Sequence, residues 1–238
     1  MPRTRNIALG LTAAGGIAAG GWWWQAQSQP EPRLRDPAMI AAAMKPALPV
    51  HTPFRARQSL TAPGCPMPSQ LGSPALPAQT AAPADRRAFR HAGGRLQPLA
   101  GFSVDARVLS TRTYDEDREA EFAPIDIALG WNRMRDDDVV SSLDIGQQNR
   151  WYYTRWDAAP PIPIEQVRLE SANMHMIPAN RDIAMALTSV SRGQRVRIDG
   201  WLVEVQANDG WKWRSSLTRD DSGQGGCEVV YVCGVAVE

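Results

Sequence analysis

Phe102, Val104, Ala106 and Val108 alternate with less apolar neighbours, the period of two that marks a half-buried strand. The alternation is clearest near the end of the chain. Arg195-Val-Arg-Ile-Asp-Gly-Trp-Leu-Val-Glu-Val205 forms one run, Asn208-Asp209-Gly210 turns, and Trp211 to Leu217 returns. Asn and Gly tolerate positive φ, so this segment predicts a hairpin. Gly200 inside the first arm marks a bulge or sharp bend. Trp151 to Trp156 reads as an aromatic strand, and Cys227 to Val237 as the last one. Two short helices interrupt the strands. Asp136 to Asp138 stand before Val139-Val140, where carboxylates suit the positive helix end. Asn180 caps the second, in which Ile183, Leu187 and Val190 share a face and which Gly193 stops. The reading is an α+β domain over 98–238, built on a small curled antiparallel sheet or partial β-barrel.

Upstream the pattern disappears. Between 25 and 97 prolines recur from Pro30 to Pro83, with Ala, Gln and Ser between them. Each proline fixes φ and removes a backbone donor, and large apolar residues are sparse, so 25–97 reads as a disordered tether. Roughly 70 residues at about 3.1 Å each would reach about 200 Å fully extended. Asp36 to Lys45 is the one stretch suited to a transient helix. Arg86, Arg87, Arg90 and Arg95 at its end read as a solvated basic segment.

The first 24 residues carry Arg3 and Arg5, an uncharged run from Ile7 to Gly21, and Trp22, Trp23 and Trp24. Basic residues held in the cytoplasm, an apolar span and indoles at the far headgroups describe a signal-anchor helix. Ile7 to Trp24 is about 18 residues, near the minimum for a bilayer span. A signal peptide cleaved after Gly21 is the alternative, giving a secreted form. Gly16 and Gly20 form a GxxxG pair that would let two such helices associate as a homodimer, though Gly/Ala-rich spans contain this pair by chance. The expected placement is a single-pass cytoplasmic (inner) membrane protein with its C-terminal domain periplasmic or otherwise extracytoplasmic.

A formal net charge of +1 offers no argument for a nucleic-acid partner. The chain has 3 cysteines. Cys227 and Cys233 cannot pair along one strand: six extended residues place them about 20 Å apart, against about 7 Å for a bridge. If one of them is bridged, Cys65 is its partner; Cys65 free is equally open. Without a CxxC, and with His175 the one histidine between 98 and 238, no metal site and no cofactor is expected.

The densest polar run, Ser215-Ser216-Leu217-Thr218-Arg219-Asp220-Asp221-Ser222-Gly223, closes on Cys227-Glu228. With His175 it supplies a Ser/His/acid set: Ser216 as nucleophile, His175 as base, Asp220 or Glu228 to orient the imidazole, and Arg219 beside them. No nucleophile elbow surrounds the serine. A hydrogen-bonded loop explains the same residues. Met174-His175-Met176 suggests a soft cuprous site, against the plainer reading of a half-buried histidine beside core methionines. Trp201, Trp211 and Trp213 lie on the predicted hairpin, Trp211 and Trp213 on one face by parity. They form either a core or a platform for sugars or peptides.

Gly130-Trp131, Asn149-Arg150-Trp151-Tyr152, Asn173-Met174-His175-Met176-Ile177-Pro178, and the run from Ser215-Ser216-Leu217 to Cys227-Glu228 resemble a group of bacterial membrane-anchored or secreted proteins with no assigned activity. The resemblance covers the C-terminal domain and implies no catalytic residue. The leading expectation is a membrane-tethered extracytoplasmic binding or assembly module, without catalysis, that meets a cell-envelope protein or glycan. The runner-up is a tethered hydrolase using His175 with Ser216, Arg219, Asp220 and Glu228.

Overall fold

The alternation from Phe102 to Val108 belongs to a longer strand than the pattern required. In the computed structural model, which describes residues 54–218 and 227–238, that strand runs Gly94–Thr113. In chain order the strands are β1 (Gln58–Thr61), β2 (Ala78–Ala81), β3 (Phe89–His91), β4 (Gly94–Thr113), β5 (Ile125–Gly130), β6 (Asp144–Gln148), β7 (Trp151–Arg155), β8 (Ser171–Pro178), β9 (Arg195–Ala207), β10 (Lys212–Arg214) and β11 (Glu228–Val237). The helices are α1 (Asp137–Val140), α2 (Ile164–Leu169) and α3 (Arg181–Ser189). Among the described residues no helix is long and apolar enough to cross a membrane. The anchor expected over 1–24, with Gly16 and Gly20, lies outside the described residues, as does the tether up to residue 53.

β4 organises the sheet. One edge pairs with β9 along Gly94 to Arg107, while the other carries β3, β2 and β5 in turn. Register shifts between Pro98 and Ala100, and between Val108 and Ser110, bend it. The path continues through β8 to β11, and β9 divides its second edge between β11 and β10. The result is a strongly curled sheet, with β6 and β7 forming a separate two-stranded ribbon. Most pairs are antiparallel as expected; β8 and β11 are parallel, which the sequence reading did not foresee.

Residues 54–97 depart from the expected tether. They contribute β1, β2, β3 and the start of β4, so the ordered domain begins well before residue 98. The strands involved are short, and the prolines stand between them, where no ladder donor is needed. Covalent attachment adds to pairing. Cys65 is bridged to Cys233 with Cα atoms 5.5 Å apart, which leaves Cys227 as the free cysteine. Cys233 is the extra residue where the β11–β9 register shifts between Val232 and Gly234, opposite Asp199 and Gly200. A Cβ on Gly200 would lie 2.0 Å from the Tyr231 carbonyl oxygen, so the bend expected there is a close backbone approach to the bulged partner strand.

Apolar side chains fill both faces of the curl. Phe102, Val104, Ile127, Met174, Met176, Ile183, Leu187 and Val230 share one core. Leu96, Phe122, Ile177, Val205, Val229 and Cys233 form a second on the opposite face of β8 and β11. Full burial of one such side chain contributes about 1.5–3 kcal/mol. Asn180 caps α3 as expected, its Oδ1 accepting from Ile183 N at 2.9 Å. Asp136 does not cap α1 with its side chain; its Oδ2 accepts from Arg133 Nε at 2.7 Å. The third helix, α2, carries a single buried residue, Val167, too little for an apolar period to show.

Candidate active site around Cys227, His175 and Asp126

Alternation along β8 decides where its chemistry goes. Met174 and Met176 enter the first core, and Asn173, His175 and Ile177 point to the opposite face. His175 therefore stands apart from both thioethers, and the cuprous arrangement is not formed. The neighbouring strands supply its partners. On β5, Asp126 is the register partner of His175, and Nδ1 of His175 lies 2.8 Å from Oδ1 of Asp126. On β11, Val229 is the register partner, and Cys227, two residues earlier, projects to the same side. Cys227 and His175 line the same cleft, and the sulfur is close enough to act on the imidazole's protonation. With Nδ1 engaged by Asp126, Nε2 is the imidazole nitrogen left for a further partner. Thiol, imidazole and carboxylate thus form one cluster.

Asp126 is 0 % exposed. A carboxylate at such depth holds its charge only with partners. Besides His175, it accepts from Nη1 of Arg150 at 2.8 Å and from Nδ2 of Asn173 at 3.3 Å. Asn173 is itself placed by Gln147 Nε2 at 2.6 Å and by the Arg150 carbonyl oxygen at 3.0 Å. Arg150 comes from the tip of the β6–β7 ribbon. Asn149 and Arg150 have φ of 51° and 67°, the pair of positive angles of a tight hairpin turn. That turn aims the guanidinium inward, where it also binds both oxygens of Asp117, at 2.7 and 2.5 Å, and the Ala123 carbonyl at 2.8 Å. Its flat face lies 3.8 Å from the Tyr114 ring centroid. The Arg150 hydrogen bond holds the Asp117 carboxyl below its usual range.

The electrostatics of His175 follow from this cluster. Burial of the imidazole favours the neutral form. The hydrogen bond with Asp126 and the interaction with Cys227, reinforced by the charges of both, outweigh it and push its pKa up from 6.5 to about 9. His91, a second histidine in the domain because the domain begins earlier than expected, is shifted the other way by burial.

An open cleft of about 660 Å³ reaches this site, with His175, Cys227, Trp213, Trp151 and Arg150 among the residues lining it. The Trp213 ring centroid is 4.9 Å from that of His175, and Trp211, outside the cleft lining, packs 5.8 Å from Trp213. Trp211 and Trp213 are therefore half-buried side chains beside the cleft, on one face as parity required. Trp201 does not join them. It is 5 % exposed, donates from Nε1 to the Pro66 carbonyl at 2.7 Å, and stacks under Arg86 at 4.5 Å. It borders a separate cleft with Tyr231 and Cys65.

Of the Ser/His/acid set proposed from sequence, the described residues include His175, Ser216 and Glu228. Ser216 Oγ donates to the Thr218 carbonyl at 3.0 Å and accepts from Thr218 N at 3.1 Å, while its backbone N–H donates to the Cys227 carbonyl at 3.0 Å. It lies beside Cys227, with its hydroxyl engaged in a local turn. Glu228 is the register partner of Met174, which puts it on the opposite face from His175. Arg219 and Asp220 lie outside the described residues.

Cys227, Asp126, Arg150 and Asn173 were not anticipated. Two signals existed. An odd cysteine count leaves one thiol over once a bridge forms, and Asp126 interrupts an otherwise apolar strand, Ile125–Gly130. Among the described residues, no group of three or more His, Cys, Asp or Glu side chains is arranged to hold a metal ion. Compared with known protein families, curated proteins and solved structures, the chain matches none.

Proposed function

We propose that this protein is a cysteine-nucleophile acyl-transfer enzyme in which Cys227 attacks, His175 moves the proton and Asp126 orients the imidazole. The observation that carries the reading is a free cysteine and a histidine lining one open cleft, with a fully buried carboxylate 2.8 Å behind the imidazole. Structural cysteines are buried in apolar surroundings; this one is partly exposed beside a histidine. It revises the Ser216-based hydrolase by replacing the nucleophile and the acid while keeping His175.

The Cys227 proton resides on Nε2 of His175, and the sulfur attacks the substrate carbonyl carbon to form a tetrahedral oxyanion. Its collapse leaves a thioester on Cys227, and the leaving amine or alkoxide takes the proton from Nε2. Water or an acceptor amine then attacks the thioester, giving its proton to His175, and the thiolate departs. Asp126 accepts from Nδ1–H throughout and stabilises the imidazolium.

The site is proposed to work outside the cytoplasm, held to the membrane by the N-terminal segment. Arg3 and Arg5 before an apolar run support this, and so does the Cys65–Cys233 bridge, since such bridges persist in oxidising compartments. The second reading is a non-catalytic module for a cell-envelope partner, favoured by Trp211 and Trp213 beside the cleft.

Incubating the full-length protein with p-nitrophenyl acetate, followed by peptide mass spectrometry, separates them. Acetyl transfer to Cys227 that disappears in His175→Ala supports the enzyme. Absence from the wild type of both acetylation at Cys227 and Cys227-dependent release of p-nitrophenolate overturns it and leaves the binding module.

A further inference from the structure

β10 is an edge strand, and its ladder with β9 fixes which backbone groups are used. The register is Lys212↔Gln206, Trp213↔Val205 and Arg214↔Glu204. On either side, Ala207 N donates to Trp211 O at 2.8 Å and Ser215 N donates to Val203 O at 3.0 Å. Hydrogen-bonded pairs alternate along an antiparallel ladder, so Trp213 directs its N–H and C=O at Val205. Those of Lys212 and Arg214 point away from β9.

The side chains agree with this geometry. Trp213 packs in the same apolar group as Val205, whereas Arg214 Nη1 reaches Glu204 on the other face at 2.8 Å. Lys212 and Arg214 nevertheless both line the cleft that holds Cys227. Their N–H and C=O groups, turned away from β9, form the outer edge of the strand. Among the described residues, no strand pairs with that edge.

We propose that the substrate of the Cys227 site is an extended polypeptide that adds to β10 as a further strand. This rests on the acyl-transfer reading and names its substrate class. Main-chain groups of the peptide pair with the outward N–H and C=O of Lys212 and Arg214, the mode by which sheet edges recognise peptides. One peptide carbonyl is thereby brought to the thiol. β10 has 3 residues, about 10 Å at the rise of a strand, so it grips a short stretch. Side chains of the bound strand alternate, and those on the cleft side meet Trp213 and Trp151.

The test uses the full-length protein and three reagents that alkylate the Cys227 sulfur. Two are acetyl-Ala-Ala-Ala chloromethyl ketone and the same compound with its internal amides N-methylated. In each, the thiolate sulfur bonds to the methylene carbon and chloride leaves. Iodoacetamide, which has no peptide backbone to pair, is the reference. The expected result is that N-methylation slows labelling of Cys227 by about tenfold, the scale of one or two main-chain hydrogen bonds, after correction for any difference towards free cysteine. Equal corrected rates for the two ketones overturn the strand-addition proposal. Failure of the acyl-transfer reading looks different: iodoacetamide then labels Cys227 at the same rate in the wild type and in His175→Ala.

Discussion

His175 and Asp126 face each other across the β8–β5 ladder, with Nδ1 and Oδ1 2.8 Å apart, and this contact fixes which imidazole nitrogen is left for Cys227. Asp126→Asn keeps the shape and removes the charge. An amide oxygen still accepts from Nδ1–H but no longer stabilises the imidazolium, so iodoacetamide labelling of Cys227 at neutral pH should slow by about tenfold or more. Arg150 also loses one of its two counter-charges, at a cost of about 3 kcal/mol in urea unfolding. An unchanged labelling rate in folded Asp126→Asn protein removes Asp126 from the mechanism.

The pH behaviour follows from the raised pKa of His175. Its imidazole gains more from Asp126 and Cys227 than it loses by burial, so its pKa rises from 6.5 to about 9 on folding. A raised pKa means the folded state binds the proton more tightly. The associated stability is fully present below about pH 6.5 and is lost as pH climbs through about 9. Proton NMR of the His175 ring should give a midpoint near 9, with His91 titrating below 6.5 as an internal control. A His175 midpoint at or below 6.5 contradicts the ion-paired site.

Arg150 hydrogen-bonds Asp126 and neither the cysteine nor the imidazole, so its substitution separates charge from packing. In Arg150→Met the positive charge next to Asp126 is gone, so the His175 midpoint should move upwards, whereas simple loss of structure returns it towards 6.5. Arg150→Lys keeps a charge but cannot bridge Asp117, Asp126 and the Ala123 carbonyl with one planar fork. It should recover the midpoint while still losing about 2 kcal/mol of stability.

Ser216 and Cys227 give opposite expectations. Ser216→Ala removes a hydroxyl that serves a local turn, so acetylation of Cys227 should stay within about twofold of wild type and stability should fall by about 1 kcal/mol. Cys227→Ala should abolish acetylation without a comparable stability loss. If Ser216→Ala abolishes acyl transfer while Cys227→Ala keeps it, the serine mechanism returns.

The Cys65–Cys233 bridge spans a sequence separation of 168 and fastens the β1 region to the bulge of β11. Changing both to serine should cost about 2–5 kcal/mol, read by urea unfolding. Dithiothreitol should lower the wild-type melting temperature and leave the double variant unmoved. Tryptic cleavage at Arg55 and Arg57 should accelerate in the same variant, since β1 holds to β11 through only 4 paired residues.

The strands most legible beforehand are those whose neighbours are close in sequence. β9 and β10 are joined by Asn208-Asp209-Gly210, and their antiparallel pairing is written in the alternation and the turn. Parity along β10 also fixed that Trp211 and Trp213 share a face, and the length of extended strand between Cys227 and Cys233 that they do not bridge. Residues 54–97 misled because short edge strands bury few side chains of their own; they borrow order from β4, β11 and a disulfide.

By itself, the sequence determined a curled, sheet-rich domain, the hairpin near its end, the α3 cap at Asn180, and which side chains share a face on the strands it revealed. These follow from local periodicity and turn chemistry, which act over a few residues. Tertiary structure alone decided that Asp126, Arg150 and Cys227 meet at His175. Alternation states the face on which a side chain stands but not the strand that lies beside it. That neighbour is set by the register of β5, β8 and β11, which the curl of the sheet and the packing of both its faces choose together.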